Sequence, residues 1–311
     1  MKANPAQNII QSSTGIASAE KGHLFRYQKI MAYLFLSPTL VLFIIFVVLP
    51  AVMALVLSFT NYDILSKIKW VGFDNYQRLF TDDVFFISLR NGLTYVILYV
   101  PIMIAASLTL ALALNRKVPG MKVFRMIYYL PMITSSVAAA TVWMWLLQKD
   151  YGLVNQILAI VGINGPAWLA NSDTAMYAIV LVTLWQGMGG NIILYLAGLQ
   201  GVPQYLYEAA VIDGANAWQV FRYITWPSLR NTTFFITTMT LIGSFQLFDQ
   251  AYVMTAGGPG QATLFPVFYI YEMGFQRLRM GYASALAFVL FMIILVVSLI
   301  NMRINRENTL I

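Results

Sequence analysis

Residues 208–227 read EAAVIDGANAWQVFRYITWP. This segment sits between two long apolar runs, roughly 174–199 and 232–255. Each run is long enough to cross a bilayer, so the polar segment between them belongs at a membrane surface. Pro203 suits the first turn of a helix, where no amide donor is needed. The helix then runs through Glu208, Ala209, Ala210 and Asp213 to Gly214, a residue that leaves a helix cheaply with positive φ. Asn216 is a good cap for a second short helix, and Pro227 is expected to stop it. Trp218, Phe221 and Ile224 recur every three residues and give that helix an apolar face. Each helix is about 15 Å long, too short to span. Such a hairpin either lies on lipid as an amphipathic element or docks into another protein. Glu208 and Asp213 favour docking, because an anionic inner membrane surface repels them.

The rest of the chain fits a membrane setting. Of its 311 residues, 59% are hydrophobic and 10% charged, against about 25% charged in a soluble domain. The apolar residues fall in six blocks, at about 30–59, 92–114, 126–147, 174–199, 232–255 and 281–302. Runs this long and continuously apolar cross lipid as α-helices. The expected fold is therefore all-α and polytopic, with six transmembrane helices. Pro38, Pro50, Pro101 and Pro131 lie in or near these runs and read as kinks. The first run begins too late and is too long for a cleaved leader. The expected organisation is a cytoplasmic tail over 1–29 that includes His23, a membrane domain over 30–303, and a second tail over 304–311. The chain has no cysteine, which excludes a disulfide framework, a thiol nucleophile and a zinc ribbon. The net charge of +7 comes with no basic patch interleaved with aromatics, so no nucleic-acid partner is expected.

The basic residues orient the chain. With the N-terminus inside, the cytoplasmic segments hold twelve of the nineteen Lys and Arg. The strongest marker is NRKVPGMKVFR, residues 115–125, with four bases and no acid. Both termini and the 200–231 loop are then cytoplasmic.

The spacing within 208–227 is also specific. EAA, three residues, Gly, nine residues, Ile, one residue and Leu-Pro form the signature loop of permease subunits in bacterial binding-protein-dependent ABC importers. The chain resembles that pattern at Glu208, Ala209, Ala210, Gly214, Ile224 and Pro227, with Trp226 in place of Leu. VGFDNYQRLFTD (71–82) and MTAGGPGQATLFPVFYIYEMGF (254–275) are similar to outer segments of the carbohydrate branch that includes the first membrane subunits of maltose and glycerol-phosphate importers. The resemblance covers about 30–305. It implies a type I importer permease fold in a bacterial cytoplasmic membrane, and a coupling loop at 203–227. The implied partners are two ATP-binding cassette subunits, a second homologous permease and an extracytoplasmic solute-binding protein. ATP and Mg would sit on the ATPase partner, with no cofactor on this chain. Glu208 would contact a basic residue of that partner, and Gly214 would make the turn.

Two polar stripes mark where a solute passes. Thr233, Thr237, Thr240 and Ser244 share one helical face, as do Thr183, Gln186, Gly187, Gly190 and Asn191. Such faces point away from lipid, towards either a path or a neighbouring helix. By resemblance, the substrate positions of maltose-type permeases fall on Thr183, Gln186, Gly187, Gly190, Thr240, Gly243, Ser244 and Leu247. Asp249 is the one ionisable residue well inside a run, and either contacts substrate or hydrogen-bonds to the following Gly-Gly-Pro loop. Trp143, Trp145 and Trp185 are candidates to stack on a sugar or to anchor at the interface. No phosphate loop and no catalytic or metal-binding motif is found, so the chain is expected to be non-catalytic. A stand-alone secondary transporter or channel is the alternative.

Overall fold

The computed structural model describes residues 31–115 and 120–307, without the side chains of Lys122, Arg306 and Glu307. The expected 1–29 tail, His23 and residues 116–119 of the basic 115–125 loop lie outside the described residues. Regular structure among them is helical, apart from one isolated bridge between Thr60 and Trp70. The chain divides into two units, 1–56 and 57–311. Of the first, the described part is helix α1 (Met31–Leu57), whose apolar window contains no buried residue. A π-turn at Ile44–Val48 precedes Pro50. The extra residue in a π-turn absorbs the hydrogen bond that a proline cannot donate.

The second unit is built on three long helices: α3 (Asp83–Leu114), α7 (Ser172–Gln200) and α13 (Met280–Glu307). Its shorter helices are α2 (Asp74–Leu79), α4 (Met121–Ile133), α5 (Ser136–Leu146), α6 (Leu153–Ile160) and α8 (Gln204–Ile212). They continue as α9 (217–228), α10 (Arg230–Phe245), α11 (Asp249–Thr255) and α12 (266–276). One core cluster joins α3, α7 and α10 through Leu108, Ala111, Ile192, Tyr195 and Ile236. Another joins α3, α7 and α11 through Tyr95, Ile179 and Ala251, with Leu247 and Phe265.

Two of the six expected spans are not single helices. The run at 126–147 is split into α4 and α5, which meet at 101°. Thr134 and Ser135 take extended backbone angles there, and the Thr134 hydroxyl bonds back to the Pro131 carbonyl at 2.6 Å. The run at 232–255 breaks at residues 246–248. At sixteen residues, α10 is about 24 Å long, short of the ~30 Å hydrocarbon core. Among the described residues, four helices are long and apolar enough to cross a membrane, or five if the bent pair counts as one span.

Other boundaries also move. α3 begins at Asp83 rather than near Gly92, because Asp82 caps it, accepting from the Val84 and Phe85 amides at 3.1 and 3.2 Å. α13 continues past 302 to Glu307, into the segment expected as a tail. Between α4 and α7 the backbones nearly touch: a Cβ at Gly189 would lie 2.3 Å from the Tyr128 carbonyl oxygen. Only glycine permits that approach.

Asp82 also braces the end of the bundle at the start of α3. Its second carboxylate oxygen accepts from the phenols of Tyr269, at 2.6 Å, and Tyr282, so one side chain joins α3, α12 and α13. Burial pushes the carboxyl up, but the two phenols and the capping amides outweigh it and hold the group below the ordinary carboxylate value. Stability from a carboxyl lowered in this way is present above its unfolded value and lost as pH falls through the folded one. The brace is therefore intact at neutral pH and fails only in strong acid. Asp82→Ala is expected to cost about 2 kcal/mol or more through the lost cap and charged hydrogen bonds. The check is a lowered thermal unfolding midpoint in detergent, with Asp82→Asn, which keeps a cap, falling between Asp82→Ala and wild type.

Candidate transport cavity and surface hairpin

The hairpin at 203–228 forms from local signals. α8 ends in paired hydrogen bonds, Gly214 N–H to Val211 O at 3.1 Å and Ala215 N–H to Ala210 O at 2.9 Å. That pattern needs a left-handed residue, supplied by Gly214 at φ +71°. Asn216 and Gln219 then close a reciprocal capping box at 2.8 and 2.9 Å, which starts α9. Pro227 does not stop this helix as expected. A π-turn at Phe221–Thr225 lets α9 run on through Trp226–Ser228 before the turn at Leu229. The Trp226 amide reaches back five residues to Phe221, and this widened turn accommodates the missing donor at Pro227.

Glu208 lies exposed on α8 and accepts only from Gln204, at 2.9 Å. No basic side chain among the described residues pairs with it. Around it the hairpin exposes Tyr205, Val211, Ile212, Trp218 and Tyr223, with Ile212 85% accessible. Ala209 and Asp213 are also exposed, while Ala210 is buried and Ile224 half-buried. Exposed apolar side chains beside a carboxylate with no ion pair among the described residues mark a candidate interaction surface.

A cavity of about 330 Å³ lies between α3, α7, α10 and α11. Thr183, Gln186 and Gly187 line it from α7, and Thr240, Gly243 and Ser244 from α10. Leu247 enters from the break after α10. Of the nine expected path positions, Gly190 and Asp249 do not line it. A Cβ at Gly190 would meet the Met132 sulfur at 2.8 Å, so this glycine serves the packing of α7 on α4. Asp249 accepts from the Ser136 hydroxyl, joining α11 to α5 rather than bonding to the Gly-Gly-Pro loop.

The cavity wall also contains residues the sequence did not single out: Tyr95, Tyr99, Met239 and Gln250. Tyr95 and Tyr99 are one helical turn apart on α3 and stack with ring centroids 5.0 Å apart. Two tyrosines at that spacing were the available signal. The Tyr95 hydroxyl donates to Thr183 at 2.9 Å, and Thr183 in turn bonds to the Ile179 and Val180 carbonyls. Gln250 donates to Gln186 at 2.8 Å, which reaches the Thr134 carbonyl at 3.4 Å in the α4–α5 bend. Asn191 and Thr240 also face the cavity, with no side-chain hydrogen bond to a described residue. The lining carries no carboxylate, ammonium, guanidinium or imidazole. Such a wall can hydrogen-bond a neutral, hydroxyl-rich solute without neutralising a charge. The three tryptophans lie elsewhere. Trp143 and Trp185 pack edge to face at 5.5 Å, and Trp145 is exposed.

The expected Thr233–Ser244 stripe serves two spaces. Thr240 and Ser244 face this cavity, whereas Thr233 and Thr237 face a second one of about 620 Å³ near the ends of α9 and α13. The stripe is about 16 Å long, so one helical face can serve both.

Comparison with known proteins agrees with this architecture. Residues 92–308 match the family described as binding-protein-dependent transport system inner membrane component. The arabinooligosaccharides transport system permease protein AraP of Halalkalibacterium halodurans is 38% identical over 296 residues, covering 94% of this chain and 93% of that protein. The lactose transport system permease protein LacF of Rhizobium radiobacter is 34% identical over 300 residues, covering 94% of this chain and all of that protein. Among solved structures, a chain of a bacterial ABC transporter involved in alginate import superposes with a TM-score of 0.81 at 26% identity, covering 92% of this chain and 99% of that one. This chain therefore belongs to the family of binding-protein-dependent transport system inner membrane components.

Proposed function

We propose that the chain lines half of the path by which an ATP-driven importer moves a neutral sugar, oligosaccharide or related polyol across the bacterial cytoplasmic membrane. The observation that carries the reading is the cavity between α3, α7, α10 and α11: its polar groups are hydroxyls and carboxamides, and no ionised side chain lines it among the described residues. Relatives named for arabinooligosaccharide and lactose transport support the solute class. The path positions are Thr183, Gln186, Gly187, Thr240, Gly243, Ser244 and Leu247. Asp249 and Gly190 hold the helices around it.

ATP hydrolysis belongs to a separate chain, present in two copies, which docks on residues 203–227 through Glu208 and the apolar surface beside it. A second homologous permease supplies the other half of the path. An extracytoplasmic solute-binding protein delivers the cargo, as supported by the alginate transporter solved in complex with an alginate-bound periplasmic protein. In this reading the chain crosses the membrane six times with both termini cytoplasmic. The α4–α5 bend and the α10–α11 break are then two crossings whose broken backbone faces protein rather than lipid.

Gln186→Leu with Ser244→Leu is expected to lower solute uptake by the reconstituted complex at least about tenfold, because each change removes polar contacts to the solute. Assembly with the ATPase should be unchanged. Wild-type uptake in that double variant would overturn the assignment of the cavity. Uptake by the purified single chain without an ATPase would instead establish a stand-alone transporter, and Asp249→Asn would then test proton coupling.

A further inference from the structure

The second cavity is not needed by the path. It lies where α9, α10 and the last turns of α13 converge, and measures about 620 Å³. Arg222 and Arg230 line it, together with apolar side chains such as Trp226 and Phe234 and polar ones such as Thr237 and Asn301. No carboxylate among the described residues lines it. Arg222 has no hydrogen bond or ion pair to a described side chain. Among the described residues, Arg230 reaches the Asn305 carbonyl, at 3.5 Å. Two guanidinium groups that line one space, with no counter-charge among the described residues, favour an anion that satisfies both. The space is several times larger than a bare phosphate requires, and its wall, part polar and part apolar, suits a ligand that joins an anionic head to hydrocarbon.

We propose that this cavity binds the phosphate headgroup of an anionic phospholipid from the inner leaflet. The assignment rests on the orientation given above, which puts the ends of α9, α10 and α13 at the cytoplasmic surface. That surface holds anionic lipid, and basic pockets between helices at this depth collect its headgroups. Trp226 is at the interfacial level that tryptophan favours. The bound phosphate neutralises Arg222 of the surface hairpin together with Arg230 of α10. It thereby ties the hairpin to the helix that carries the polar cavity wall.

The test uses the complete complex in nanodiscs of phosphatidylcholine, with and without phosphatidylglycerol. Retention of phosphatidylglycerol after delipidation is read by native mass spectrometry. Arg222→Gln with Arg230→Gln is expected to weaken retention about thirtyfold, equivalent to about 1 kcal/mol per arginine. The control pair Arg90→Gln with Arg279→Gln, on segments assigned to the outer side, should retain the lipid as wild type does. Equal retention in both pairs would overturn the proposal. Displacement of the lipid by inorganic phosphate at matched concentration would assign the site to a soluble anion instead. Loss of the ATPase from the Arg222→Gln, Arg230→Gln complex with lipid still bound would assign the arginines to the protein contact. If the wild-type complex itself fails to bind an ATPase, the functional reading fails, while the retention comparison still decides the lipid site.

Discussion

Replacing Gly243 with phenylalanine is expected to cut maximal solute uptake to below about a tenth of wild type, because a filled pocket cannot enclose its ligand. The expectation comes from the space beside this residue. Nothing lies within 4 Å of a Cβ built on Gly243, and the residue faces the cavity from α10 between Thr240 and Ser244. Elsewhere in the bundle, added atoms would strike neighbours: a Cβ at Gly189 would collide with backbone, and one at Gly187 would come within 2.8 Å of the Tyr99 hydroxyl. Gly243→Phe is therefore a change of pore volume with little cost to packing. Yield, thermal midpoint and ATPase association should match wild type while uptake falls. Gly189→Leu is the contrasting control, since it forces α4 away from α7 and should lose the folded protein. Normal uptake in Gly243→Phe would remove the cavity from the path.

Glu208→Lys is expected to abolish solute-stimulated ATP hydrolysis while the chain itself folds normally. The carboxylate is exposed and makes no ion pair among the described residues, so its charge contributes little to the isolated fold. In the proposed contact it meets a basic group of the ATPase. Reversing a charge at a close interfacial pair costs about 3 kcal/mol, on the order of a hundredfold in affinity. The measurement is co-purification of the ATPase together with ATP turnover at saturating solute. Glu208→Gln, which keeps the size and the Gln204 contact but removes the charge, should fall between the two. Undiminished coupling in Glu208→Lys would move the docking surface away from this hairpin.

Different parts of the molecule were legible to different degrees, for identifiable reasons. The Gly214 turn and the Asn216 cap could be read directly, because each depends on residues within one or two helical turns. The polar walls on α7 and α10 could be read because a 3.6-residue repeat survives inside an apolar run. The wall on α3 was missed. Tyr95 and Tyr99 are apolar enough to pass as part of a span, and only packing shows that they turn inward. Gln250 was missed because it follows a backbone break that hydropathy does not register.

The sequence by itself determined the all-helical character, the positions of the long apolar runs and the turn at 208–227. These follow from transfer of side chains to lipid and from short-range backbone hydrogen bonds, both of which act locally. Only the tertiary structure decided that 126–147 bends by 101° and that 232–255 breaks at 246–248. It also decided that Asp249 bonds to Ser136 and that one threonine stripe opens into two separate cavities. A carboxylate finds its partner, and a polar face finds its cavity, only when helices distant in sequence are packed together. Those contacts lie between residues many helical turns apart in sequence, 113 positions for Asp249 and Ser136, beyond the reach of any local pattern.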